Sequence, residues 1–510
     1  MGSKSRTENI LRNTAVGLVG QLLTYLLTFV YRTVFILILG KEYLGISGLF
    51  SNILSVLSVA ELGIGSAITF SLYRPLAEQN KDKIRGLMAY YAKAYRNIGL
   101  FIGVAGTSLT PFLGFFIADP PNIPHLHLIY LLYVLSSSLS YFFVYQQSIL
   151  QADQRGYLVS LRLNFFTLLR TLFQIAWLFL FRTFIPTLLL QIFFTILGNY
   201  LISRKVCVLY PYLKGIRNAH LQSKEKKEIG NKISAMFLHK IGSVVVLGTD
   251  NLLLSKFVGL SSVAIYSNYY MLMSMVSTVI SQFTSALVPS VGNLTATESR
   301  ETSKRVFDTV NFMNYWITSF CAVCFFTLFN PFITVWIGTE YIFGLDVVFC
   351  IVCSYYLNGM RQGVLTFRNA LGLFQVDRYK PIFESVINLV ASILLMQRFG
   401  AAGVFLGTIV SCVTTSLWVE PYVLFRHYFQ DGLRAFWREY LLRTLVMCLS
   451  AWTMHKISTA LFDGSFLSLI LLFAVSAVVP NLILILFFWK TAPFQDCLRR
   501  IMGTLHRKHE

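Results

Sequence analysis

Arg32, Glu61, Lys93, Arg96 and Arg170 lie inside long apolar stretches of the N-terminal half of this chain, and Lys240, Asp250 and Arg361 inside those of the C-terminal half. Glu384 sits at the end of another such stretch. A charge in hydrocarbon costs several kcal/mol unless it faces a partner or water, so charges at these positions are site candidates. Lys93 and Arg96 are only a turn or two inside their span and can snorkel to the interface. Arg170 is too deep to snorkel easily. Glu61, mid-span near Gly63 and Gly65, and Asp250, in the outer third of its span, could each exchange a proton or bind sodium. A structural ion pair, for example Glu61 with Arg32, is the competing reading.

The elements that carry these residues must be membrane helices. Of the 510 residues, 55% are hydrophobic and 13% charged, and the mean hydropathy is +0.62. About 20 apolar residues span a hydrocarbon core about 30 Å thick. Such runs are expected at 13–39, 44–73, 88–117, 125–150, 160–181, 184–202, 233–258, 263–292, 307–329, 345–368, 382–397, 402–425, 441–457 and 466–489. The reading is an all-α polytopic membrane protein of about 14 transmembrane helices. The runs are too long, and lack the strict alternation, for a β-barrel.

The basic residues set the orientation. With the N-terminus inside, about 33 Lys and Arg lie in inner segments and about five in outer loops, as expected for charges that resist translocation. Both termini are then cytoplasmic. The first apolar run is too long for a cleavable signal and no small-x-small site follows it. The net charge of +20 suits anionic lipid headgroups; no basic soluble domain is present to bind nucleic acid.

The longest connector, residues 203–232, contains Lys224-Glu-Lys-Lys-Glu228 and divides the first twelve spans into six and six. The expected organisation is an N-lobe at 1–202, this cytoplasmic connector, a C-lobe at 233–425, and a final part at 426–510 with two more spans and a cytoplasmic tail. An ungapped slide places Gly40 on Gly259, Ser55 on Ser274, Ser66 on Ser285, and the charged loop Asp82–Arg85 on Glu301–Lys304. The coincidence of loops is the better signal. It predicts a parallel repeat about an axis along the membrane normal, with a central cavity that opens alternately to each side. His427–Tyr440, mixed aromatic and basic, is either an interfacial segment or a plain connector.

Several segments resemble the bacterial polysaccharide transporter, or oligosaccharide flippase, family: Asn13–Gly40 with Tyr31-Arg32, followed by Lys41-Glu-Tyr-Leu-Gly-Ile46; Ala60-Glu-Leu-Gly-Ile-Gly65; and Asn330-Pro-Phe-Ile-Thr-Val-Trp-Ile-Gly338. The family belongs to the superfamily that also holds multidrug and toxic compound extrusion pumps and the lipid II flippase. The resemblance implies a secondary transporter in the bacterial plasma membrane that moves undecaprenyl-diphosphate-linked oligosaccharide from the inner to the outer leaflet. The products would be capsule, O-antigen, exopolysaccharide or teichoic-type polymers. It further implies coupling to H+ or Na+, no cofactor, and pathway partners such as a glycan polymerase and glycosyltransferases. The last helix pair resembles the pair that shapes a lipid-tail groove in the lipid II flippase.

That substrate explains an excess of deep cations. Arg grips phosphate oxygens through a planar fork and Lys through a point charge. Arg32, Arg170, Lys240 and Arg361, spread through the depth of the membrane, are expected to line the cavity and hold the diphosphate. Glu61 and Asp250 are the candidates for ion coupling.

The rest is negative. Cys321-x-x-Cys324 and Cys350-x-x-Cys353 resemble zinc ligands in spacing, but Ala-Val and Ile-Val fill them within helices, where Cys packs as a small apolar residue. The eight histidines show no ligand spacing, and His239 beside Lys240 reads as a packed helix residue. No P-loop, nucleophile elbow or dinucleotide fingerprint is present. A drug or cation exporter of the same superfamily is the nearest alternative, although such pumps prefer acidic cavities. A membrane glycan polymerase would need a substantial outer loop, which is missing.

Overall fold

The computed structural model describes residues 6–61, 64–117, 121–153, 155–213, 215–216, 221, 229–230, 248–373 and 376–506. These residues are almost entirely helical and contain no strand. The reason is physical: hydrocarbon offers no hydrogen-bond partner, so each segment satisfies its own backbone. The chain is a multi-pass membrane protein, packed as two compact units, Met1–Ala264 and Ile265–Glu510.

In the first unit, α1 (Arg6–Leu57) is broken by a kink at Gly40, whose φ of 82° falls where the sequence predicts an outer loop. Only glycine adopts that conformation at little cost. The second predicted span continues through a 3-10 turn (Ser58–Glu61) into α2 (Ile64–Ala77). The third is α3 (Lys81–Ser108), bent by 43° into a short 3-10 turn and α4 (Leu113–Phe116). Next come α5 (Leu126–Val144), α6 (Gln147–Ala152), α7 (Gly156–Phe181) and α8 (Ile185–Leu209). Most of the predicted seventh span, including residues 231–247, lies outside the described residues.

The second unit takes in most of α9 (Leu260–Thr297), followed by α10 (Arg300–Ile337), α11 (Leu345–Met360), α12 (Gln362–Ala370) and α13 (Lys380–Phe399). The twelfth predicted span is α14 (Ala401–Ser411), a π-turn at Cys412–Ser416, α15 (Leu417–Leu424) and a second π-turn at Phe425–Phe429. α16 (Leu433–Leu461) and α17 (Phe466–Phe488) follow, and α18 (Ala492–His506) forms in the segment expected as a tail. His427–Tyr440 contains a turn, Gln430 and Gly432 having positive φ, that leads into α16.

Among the described residues, nine helices are long and apolar enough to span a membrane, or ten if α3 and α4 make one bent span. The count is of the described residues, which leave out most of the seventh predicted span, and the rest of the difference from about 14 has local reasons. The limbs of α1 run together as one helix, α2 and α11 are short, and α16 carries Arg443, His455 and Lys456 along its length.

Packing within each unit follows the small residues. A Cβ on Gly403 would lie 2.4 Å from the Leu395 carbonyl oxygen, and one on Gly407 2.1 Å from Ser392 Oγ. Small residues let helix backbones close up, and α13 and α14 are then tied by Asn388 Nδ2 to Thr408 Oγ1 (2.9 Å) and Ser392 Oγ to the Val404 carbonyl (3.0 Å). The last helix pair rests on α10. Val323 and Leu328 form a core with Met454 and Leu472, and Trp316 Nε1 donates to Asn481 Oδ1 at 2.8 Å.

Candidate functional site

Two groups of charge in the membrane helices differ in kind. In the first unit, Tyr31 on α1 stands near Arg170 on α7, with Tyr133 of α5 beside Arg32. The Tyr31 hydroxyl bonds Thr187 on α8, and Tyr133 bonds Ser47 on the second limb of α1. Gln174 Nε2 fixes this corner by donating to the Thr187 carbonyl at 2.8 Å. Tyr31 thus lies beside both guanidinium groups, and Tyr133 beside that of Arg32. Arg170 makes no ion pair or hydrogen bond among the described residues, and its Nε is buried without a partner. An orphaned donor of this kind is costly, and a ligand anion would satisfy it.

In the second unit, the charges satisfy each other. Arg361, at the break between α11 and α12, donates from Nε to Glu420 Oε2 at 2.9 Å and from Nη2 to Glu420 Oε1 at 2.7 Å. Its Nη1 donates to Asn358 Oδ1 at 2.8 Å and reaches Glu384 Oε1 at 3.5 Å. Lys380, at the start of α13, is paired with Glu420 and donates to Ser416 Oγ at 2.8 Å. Arg368 bonds Asp377 Oδ2 at 2.6 Å and lies 3.6 Å from Glu420 Oε1. Three cations and three carboxylates therefore balance. Glu420 is 1% exposed and Arg361 14%.

The other predicted residues are dispersed. Glu61 ends the 3-10 turn and accepts a hydrogen bond from Tyr95 at 3.2 Å; Tyr141, whose ring stacks on that of Tyr95, bonds it too. Its partners are these hydroxyls rather than Arg32. Asp250 is buried in the first unit. Lys240 and His239 lie outside the described residues. Cys321, Cys324, Cys350 and Cys353 are free thiols, and among the described residues no cluster of His, Cys, Asp or Glu has the arrangement of a metal site.

Sequence reasoning missed Glu420 and placed Lys380 in a loop. The signal was present as a lone carboxylate before Pro421 in the apolar run 402–425.

The family comparison fits this arrangement. Residues 10–295, more than half of the chain, match the family described as polysaccharide biosynthesis protein. The chain belongs to that family. No curated protein matches it. Solved structures resemble it in fold. The lipid II flippase MurJ in an inward closed conformation aligns at 11% identity over 92% of this chain and 98% of its own, with a TM-score of 0.66. An inward-facing multidrug resistance MATE family transporter of the MOP superfamily aligns at 15% identity over 81% and 98%, with a TM-score of 0.62. The Vibrio cholerae MATE transporter VcmN, in its bent form, aligns at 16% identity over 84% and 98%, with a TM-score of 0.52. The fold of this polysaccharide biosynthesis family member is therefore that of MOP-superfamily transporters.

Proposed function

We propose that this protein is a secondary transporter that flips undecaprenyl-diphosphate-linked oligosaccharide from the inner to the outer leaflet of the bacterial plasma membrane by alternating access. The glycan belongs to a capsule, O-antigen, exopolysaccharide or teichoic-type polymer, and the termini face the cytoplasm. The observation that carries the reading is Arg170: a deep guanidinium, near Tyr31, whose buried Nε lacks a partner. A diphosphate brings about two negative charges and the oxygens that a guanidinium fork accepts. Membership of a polysaccharide family and the fold shared with a lipid II flippase support the same substrate class.

Arg361 enters this reading in a weaker position, since Glu420 and Asn358 occupy its donors. Lys240 keeps its expected place as a further cationic contact. Glu61 and Asp250 are the candidates for coupling to H+ or Na+.

The test uses sealed proteoliposomes with labelled undecaprenyl-diphosphate oligosaccharide in one leaflet, with and without an ion gradient. Exposure to an added diphosphatase should require the protein and be lost in Arg170→Ala. A second reading, drug or cation export, is favoured by the MATE fold likeness over 81% of the chain. Vesicles that export an organic cation but leave the lipid-linked glycan in place would establish it instead.

A further inference from the structure

A cavity of about 630 Å³ opens at the charged end of α10, enclosed by the first turns of that helix, the turn before α16, α16 itself and the start of α18. Nothing in the flippase reading uses it. Its volume is in the range of small-molecule sites. Most of the charges on its wall are already engaged. Lys304 pairs with Asp308, and its ammonium lies 5.9 Å from the ring centre of Phe429. Arg443 binds Glu439 and Arg499 binds Asp496, both at 2.6 Å, and Arg300 donates to Gln430 at 2.6 Å.

Three wall groups keep free capacity. Glu301 and Arg305 make no ion pair or side-chain hydrogen bond among the described residues, and Asp431 accepts only its neighbour's backbone N–H at 2.6 Å. The carboxylates are spread around the space, and among the described residues no cluster could hold a metal ion. The free capacity is therefore of both signs, and it suits a larger organic ion with one cationic and one anionic group.

The setting selects the source of that ion. Trp489, 49% exposed, stands just before the wall residues Ala492 and Pro493, and the Lys490 ammonium lies 4.9 Å from its ring centre. Exposed Trp beside Lys at the end of a membrane helix marks headgroup depth. α18 then packs Phe494 on Phe312 and Trp316 of α10, closing one side of the cavity at that level.

We propose that this cavity is a binding site for phosphatidylethanolamine. The lipid's ammonium is received by Glu301 and Asp431, and its phosphate by Arg305. Three of the five wall carboxylates already hold cations, so an anionic headgroup on Arg305 would leave Glu301 and Asp431 unanswered, and a quaternary ammonium has no N–H to donate.

The purified full-length protein is exchanged into mixed micelles containing phosphatidylethanolamine, phosphatidylglycerol or phosphatidylcholine, and retained lipid is counted by native mass spectrometry. Phosphatidylethanolamine should be retained about tenfold over the other two, and Glu301→Ala or Arg305→Ala, on exposed turns, should remove that preference. Equal retention of the three lipids, or a preference that survives both substitutions, overturns the proposal. So does displacement of the lipid by soluble phosphoethanolamine at equal concentration, which would assign the cavity to a free zwitterion. None of these outcomes bears on glycan flipping.

Discussion

The guanidinium of Arg361 closes two arms on the carboxylate of Glu420, Nε to Oε2 at 2.9 Å and Nη2 to Oε1 at 2.7 Å. The two residues are 59 positions apart in sequence, on the α11/α12 break and on α15. Lys380 joins them from α13, so one carboxylate ties α13 and α15 to the α11/α12 break. The π-turn at Cys412–Ser416 brings Ser416 to the Lys380 ammonium and so completes the junction.

Removing one partner of such a pair leaves buried charge uncompensated, at a cost of about 3–5 kcal/mol. Glu420→Ala should therefore lower the melting midpoint of the purified protein sharply. Arg361→Met together with Glu420→Met should cost less than the two single losses added, because the pair leaves as a unit. Losses that simply add would show that the pairing is not what holds these helices.

Arg170 should behave in the opposite way. Its charge is not offset by an ion pair among the described residues, so Arg170→Met removes a desolvated cation. Thermal stability should hold or rise while flipping in proteoliposomes is lost. Arg170→Lys keeps the charge but not the fork, and should retain a fraction of the rate. A large fall in stability for Arg170→Met would instead give the residue a structural role.

Gly407 tests the packing of α13 on α14. A Cβ there would meet Ser392 Oγ at 2.1 Å and its backbone nitrogen at 2.4 Å. Gly407→Val should cost more than about 1–3 kcal/mol, the usual penalty of overpacking, because the obstacle is backbone rather than a mobile side chain. Melting of the purified variant measures it, and Gly407→Val combined with Ser392→Gly should recover only part of the loss.

The turn into α17 is capped by Ser465, whose Oγ accepts the Ser468 N–H at 3.1 Å, while Asp463 Oδ1 accepts the Ser465 N–H at 2.8 Å. Ser465→Ala should cost about 1 kcal/mol. Hydrogen bonds from Ser468 and Ser465 hold the Asp463 carboxyl down at about 2. A depressed carboxyl stabilises the fold above its unfolded value of about 4 and loses that contribution as pH falls toward 2. Asp463→Asn should therefore give the same loss of stability at every pH from 5 to 8, measured by melting.

Local sequence determined the solvent class and the helices of this protein. A bilayer demands contiguous apolar length, and a helix satisfies its backbone within itself, so both requirements are written in short windows. The break at Gly40 and the third span could be placed for that reason. α18 was not read from the sequence: Phe494, Cys497 and Leu498 follow helical spacing, but a charged tail surrounds them. Depth singled out Arg170 and Arg361 equally. Only the tertiary structure decided that Arg361 is bound into a balanced network while Arg170 keeps an unsatisfied donor. Glu420, Lys380 and Arg361 come from separate helices, and the meeting of charges across helices leaves no periodic trace in the chain. A span's apolar length is a property of neighbours in sequence; a charge's partner is a property of neighbours in space.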